Sequence, residues 1–229
     1  MTEAEWLAAT DPTPMLEFLK GKASDRKLRL TLCAIGRLWP DIDVREEDVA
    51  SLQVAEKYAD GELSLNEVNA VRNKQKRVQF RHLHGPVLIR WSSQLLCPRK
   101  MLVQSCFELC ARTLRARIVE ITDDPTWERD RRQRHDLFGR ERPAFAALLR
   151  DIFGPLPLCP ATITPTWLTS TVVSLAHGIY ADRAFDRLPI LADALQDAGC
   201  ENADILTHCR SDGPHVRGCW VVDLVLGKE

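Results

Sequence analysis

Apolar residues recur along this chain at spacings of three and four, the period of a helix that buries one face. Leu28, Leu32, Ile35 and Trp39 set the pattern; Ser24 stands where a cap belongs, Asp25 falls in the first turn, and Pro40 ends the segment. Pro14 opens an earlier helix with Met15, Leu16, Phe18 and Leu19 to one side and Gly21 as its stop. Another covers Glu46 to Ala59, where Val49, Leu52, Val54, Ala55 and Tyr58 are apolar and Gly61 follows. Ser64 begins the next, with Glu67 three residues on, the spacing of a capping box.

The middle is less regular. GPVLIRW (85–91) fits a short strand or a buried helical turn, and its period does not choose between them. Leu102, Cys106, Leu109, Cys110 and Leu114 share a helical stripe within 99–120. Asp123, Asp124 and Pro125 mark a new start, and a long charged helix carries Phe145, Leu148, Leu149, Ile152 and Phe153 to Gly154. Four prolines between Gly154 and Pro165 require an extended linker.

Beyond it, Ser170 or Thr171 caps a helix holding Val173, Ala176, Ile179 and Tyr180. Leu188, Leu191 and Leu195 form the stripe of another, with Pro189 in its first turn and Gly199 after its end. Asn202 caps a short helix ending near Arg210. Asp212 and Pro214 open a last segment in which Val216, Trp220 and Leu224 recur every fourth position. The expected fold is all-α: one irregular multi-helix bundle over 1–229, with room for one short strand or hairpin in the middle. Its parts are N-terminal helices (1–68), a basic segment (69–122), a charged helix (123–154), a proline-rich linker (155–165) and a C-terminal helical module (166–229).

A length of 229 residues supports a core without staples. The formal net charge of −1 gives the whole molecule no pull toward nucleic acid or acidic membranes. No apolar run approaches a bilayer span, and MTEAEWLAATDP has acids where an export signal needs bases. The expectation is a cytoplasmic protein with no membrane partner, its eight cysteines reduced.

Charge is nevertheless segregated. From Asp41 to Glu67 there are nine acids against Arg45 and Lys57, and between Glu67 and Glu108 there is none. That second interval holds Arg72, Lys74, Lys76, Arg77, Arg81 and Arg90, with Phe80 and Trp91 among them, a composition that could neutralise phosphates and stack on bases. Two helices of opposite charge facing one another explain the same pattern without nucleic acid.

Soft ligands gather near the C-terminus. Cys200, His208, Cys209, His215 and Cys219 lie within twenty residues, and zinc needs four N or S ligands in a tetrahedron. A helical last segment would set His215 and Cys219 on one face, at i and i+4, whereas the adjacent His208 and Cys209 point apart. The chain has no C-x₂-C pair, and the bland alternative makes the thiols small core hydrophobes. Hydrolase, zincin, phosphate-loop and kinase signatures are absent from the sequence. Cys219, His215 and Asp223 would make a poor catalytic triad, because the acid lies two turns beyond the histidine. Trp6, Trp39, Trp167 and Trp220 sit at the edges or on the stripes of helices, as core anchors do.

TEAEWLAATDPTPMLEFLKGKASDRKLRL, VAEKYADGELS, LLRDIFG, HGIYADRAFDRLPILADALQDAGC, ADILTHCR and GPHVRGCWVVDLVLGKE together resemble a family of paralogues expanded in planctomycete bacteria. The likeness covers residues 1–68 and 147–229 and implies a bacterial, cytoplasmic, helical protein; it carries over no catalytic, cofactor or binding residue. TLCAIGRLW keeps only Cys33 where those relatives have a cysteine-rich stretch, and the basic segment replaces their alanine-rich middle. The reading from sequence is a non-catalytic helical module that binds a protein partner and needs no cofactor. Its alternatives are a zinc-stabilised module built on the C-terminal Cys/His cluster and nucleic-acid binding through 72–100.

Overall fold

A computed structural model describes residues 1–37, 46–71, 131–155 and 162–228, and the regular elements among them are all helices. They are α1 (Glu3–Ala8), α2 (Pro12–Leu19), α3 (Asp25–Arg37), α4 (Glu46–Ala59), α5 (65–71), α6 (Arg131–Phe153), α7 (Ser170–Asp182), α8 (Leu188–Asp197), α9 (Ala203–Arg210) and α10 (Trp220–Leu226). Single 3₁₀ turns at Pro165–Trp167 and Phe185–Arg187 precede α7 and α8. The protein is all-α, as the periodicity predicts. The ambiguous GPVLIRW segment, the stripe in 99–120, the Asp123–Pro125 start, Trp39, positions 156–161 of the proline-rich linker, and the basic set Arg72, Lys74, Lys76, Arg77, Arg81 and Arg90 lie outside the described residues.

Most of the boundaries have local causes. Asp11 caps α2 by accepting from Thr13 N–H, and Pro12 rather than Pro14 takes the first helical position, where its missing N–H costs nothing. Ser64 and Glu67 form the expected reciprocal box, 2.7 Å from the Ser64 N–H to the carboxylate. Thr169, one residue before the expected caps, closes the start of α7. Asn202 caps α9 through Ile205 N–H. The last helix departs from the pattern: α10 begins at Trp220, so the stretch from Asp212 to Gly218 is not helical. Pro214 and three glycines nearby (Gly213, Gly218, Gly227) confine the regular turns to WVVDLVL.

Two apolar cores result. Trp6, Met15, Leu16, Leu19, Leu32 and Leu52 meet Phe145, Leu148 and Ile152 in the first, where α3 packs on α4 and α6, and α2 packs on α6. Val172, Ile179, Leu191, Leu195, Ile205 and Val221 fill the second, built from α7 to α10. Burying such side chains is worth about 1.5–3 kcal/mol each.

The cores join along a seam that mixes close packing with charge. Trp6 Nε1 donates to Gly154 O at 2.9 Å, and Trp220 lies against the same glycine, where a Cβ would come within 3.3 Å of the indole. Gly218, at φ +99°, brings the backbone before α10 onto Leu30. Around these contacts sit three buried acids, each held by at least two bases. Asp223 faces Arg26 and Lys27; Asp60 faces Arg26, Arg217 and the Tyr180 hydroxyl; Glu56 faces Arg37 and Arg183. Among the described residues no helix is long and apolar enough to cross a membrane.

Candidate metal centre

The fourth buried acid of the seam is Asp151, near the C-terminal end of α6 and 2% exposed. The turn at Gly154 and the non-helical stretch before α10 bring three of the five expected ligands onto it. His208 projects from the last turn of α9, with Nε2 3.1 Å from Asp151 Oδ1 and 3.3 Å from Cys219 Sγ. His215, in the loop, sets Nδ1 2.8 Å from the same carboxylate oxygen. Cys219 occupies the residue before α10 and is fully buried. One ligand atom from each of Asp151, His208, His215 and Cys219 can be chosen so that all lie within 4.8 Å of one another.

His215 and Cys219 therefore converge, though not as two positions on one helical face, because the helix starts after both. Cys200 and Cys209 stand outside the set and belong to the second core, 1% and 0% exposed. The adjacency of His208 and Cys209 produces the divergence it predicts: the imidazole turns to the seam, and the thiol turns inward. Burial pushes the Cys209 thiol up to about 12, as befits a packing residue. Cys33, the cysteine of TLCAIGRLW, is likewise buried in the first core, its thiol raised chiefly by desolvation.

Asp151 is the ligand that sequence reasoning missed. It lies 57 positions before His208, in the LLRDIFG string, where it reads as one more charge near a helix end. A signal was present: Asp151 falls between Leu148, Leu149 and Ile152 on the apolar stripe, and an acid on a buried stripe requires partners.

The surroundings orient the set. Val216 N–H donates to Asp151 Oδ2 at 2.9 Å, leaving Oδ1 to the two histidines. His215 Nε2 lies 3.1 Å from the Ser211 carbonyl. A carbonyl only accepts, so Nε2 carries a proton; an ion would meet the Nδ1 lone pair, whereas without one the Asp151 carboxylate favours a proton on Nδ1 as well. His208 packs its ring against His215 edge-on and against Trp220, with centroids 4.9 and 5.2 Å away.

Burial alone would raise the Asp151 carboxyl, yet the hydrogen bonds and charges of His208 and His215 hold it below its ordinary value. Burial would lower His215, and the Asp151 carboxylate outweighs it and raises the imidazole. Cys219 is raised well above the ordinary thiol range by burial and then by the Asp151 charge, so without an ion it is a neutral thiol.

Donor spacing fits a small ion. Tetrahedral zinc with N and O ligands at about 2.0–2.1 Å separates them by about 3.3 Å, and a thiolate sits somewhat farther. Three of the six separations, 2.8, 3.1 and 3.3 Å, are hydrogen-bond lengths close to those values, and the remaining pairs lie within 4.8 Å.

A nucleophilic triad does not fit. The carboxylate and thiol approach the same nitrogen of His208, whereas a base that activates a thiol is oriented through its other nitrogen. The alternative acid, Asp223, is engaged by Arg26 and Lys27.

The cluster borders a cleft of about 300 Å³. Asp151, His208, His215 and Trp220 line it, with Leu7, Arg150 and Pro155 among the other residues. No family model, curated protein or solved structure matches this chain.

Proposed function

We propose that this chain is a helical metal-binding module in which Asp151, His208, His215 and Cys219 hold one zinc ion between the two cores. The observation that carries the reading is the convergence of four donor atoms of suitable type from three separate pieces of chain. Imidazole and thiolate together favour zinc over magnesium or calcium, whose sites are built of oxygen. The carboxylate comes from a helix of the first core, and Cys219 and the helix that carries His208 belong to the second, so an ion would contribute its binding free energy to holding the halves together. This ranks metal binding above the partner-binding role that the lack of motifs suggests.

Elemental analysis of the purified full chain tests it. About one zinc per chain is expected, with a lower Tm after chelation and recovery on adding zinc back. Protein without a transition metal, whose melting is identical with chelator and with added zinc, ends the proposal.

A further inference from the structure

The four ligands do not surround their centre evenly. Cys219 is buried and forms no part of the cleft wall, whereas Asp151, His208 and His215 all do. An ion among them has thiolate behind it and the cleft in front. Four protein ligands fill a tetrahedral zinc site, so a ligand from solution enters a centre with one face toward a cleft by expanding it to five-coordinate.

The cleft wall offers an anion one arginine, beside the carboxylates of Asp151 and Asp204. Arg150 lines it, half-buried, and among the described residues has no carboxylate partner. Its Nη1 donates to the Ala9 carbonyl at 2.8 Å and the Trp6 carbonyl at 3.5 Å, which neutralises no charge. The Trp220 ring forms another part of the wall, and its indole N–H is buried without a hydrogen-bond partner among the described residues. Asp204 also lines the cleft and is exposed. The rest is substantially apolar: Leu7, Ala147, Pro155 and Pro214. A volume of about 300 Å³ lies at the small end of ligand pockets.

We infer that the cleft binds a small carboxylic acid with a short apolar tail, its carboxylate on the metal and near Arg150, its tail along Leu7 and Pro155. This inference rests on the metal reading. A guanidinium fork and a cation both select a planar anion, and the apolar wall adds affinity for an aliphatic chain.

Cobalt(II) in place of zinc makes the test visible, because its absorption reports thiolate ligation and coordination number separately. Full-length protein loaded with cobalt is titrated with butyrate and, in parallel, with uncharged butyramide. Butyrate is expected to change the visible bands saturably and butyramide to leave them unaltered. Leu7→Trp, at a residue 49% exposed and remote from the ligands in sequence, narrows the cleft; it should weaken butyrate about tenfold while the bands without butyrate stay the same. Cobalt bound through thiolate but indifferent to butyrate overturns the inference and leaves the metal reading standing. Equal responses to acid and amide, or unchanged butyrate affinity in Leu7→Trp, also overturn it. Absence of a thiolate-to-cobalt band removes the metal reading and this inference with it.

Discussion

Arg26 grips Asp223 with both terminal nitrogens, Nη1 to Oδ2 at 2.6 Å and Nη2 to Oδ1 at 2.9 Å, although 197 positions separate the two in the chain. The bond ties the first turn of α3 to α10, and the same guanidinium reaches Asp60 and the Tyr180 hydroxyl. One side chain thus fastens three elements across the seam. Asp223 is 1% exposed, so its charge is sustainable only while its bases remain. Arg26→Met should destabilise the protein by about 3–5 kcal/mol, read as a lower urea midpoint. Arg26→Met with Asp223→Leu should recover part of that loss, because the buried carboxylate goes with its main base, while Lys27 loses its partner at 2.7 Å. A double variant no more stable than Arg26→Met would contradict this account.

Gly218 should tolerate no side chain. Its φ of +99° lies where L-residues are strained, and a Cβ would come within 2.9 Å of Leu30 Cδ1. Gly218→Ala is expected to cost about 2–4 kcal/mol, combining backbone strain with overpacking. In a Leu30→Ala background the closest contact, to Cδ1, is gone, while the one to the Leu30 Cβ at 3.2 Å and the backbone strain stay. Guanidinium unfolding of the four proteins in that cycle should give a smaller penalty for Gly218→Ala when Leu30 is truncated; equal penalties would locate the whole effect in the backbone and the Cβ contact.

Trp6 anchors α1 by a single directed bond. Its indole donates to the Gly154 carbonyl at 2.9 Å, and its ring is 1% exposed. Trp6→Phe retains most of the apolar surface but leaves that buried carbonyl without this donor. A loss of about 1–3 kcal/mol is expected, seen as a drop in Tm. A change within error would mean that Gly154 O finds another donor.

The sequence made the helices legible wherever capping chemistry and a stripe coincide. Ser64 with Glu67 and Asn202 before Ile205 each announce a start that the structure keeps. The first helix escaped the periodicity because six residues hold less than two turns, and Trp6 is its one buried side chain. Thr2 with Glu5 forms a capping box there, so the signal lay in the cap rather than the stripe. The candidate site was half legible. Two histidines and a cysteine stood close in sequence, but their convergence depends on a break before Trp220, and Asp151 reaches them only through the packing of α6 against the C-terminal helices. Local pattern carries no information about which acid faces which loop. The seam charges have the same character: Asp60 and Glu56 read as members of the acidic run from Asp41 to Glu67, and Asp223 as a poor triad acid, until packing brings their bases to them.

Acidity should separate the metal-free protein from the metal-bound one by the sign of its effect. In the metal-free cluster His215 is raised by Asp151 relative to its unfolded value of about 6.5, and Asp151 is lowered relative to about 3.9. A raised histidine stabilises fully below its unfolded value, and the effect is lost as pH climbs through the folded one. A lowered carboxyl stabilises above its unfolded value and loses the effect as pH falls through the folded one. The pair therefore contributes most between about pH 4 and 6.5, and chelated protein should lose this contribution as pH rises beyond that window. Zinc reverses the slope, because it needs neutral His215 and His208 and the thiolate of Cys219, and protons compete for all three. The gain in Tm from saturating zinc should grow from about pH 5.5 to about pH 8, and at 100-fold excess over Kd it corresponds to about 2.7 kcal/mol. His215→Gln separates this pair from every other titrating group: its chelated form should lack the decline that wild type shows above about pH 6.5. Chelated wild type and His215→Gln with parallel pH profiles would show that Asp151 and His215 are not coupled in the folded protein. A zinc increment that shrank toward alkaline pH would rule out thiolate and imidazole ligation.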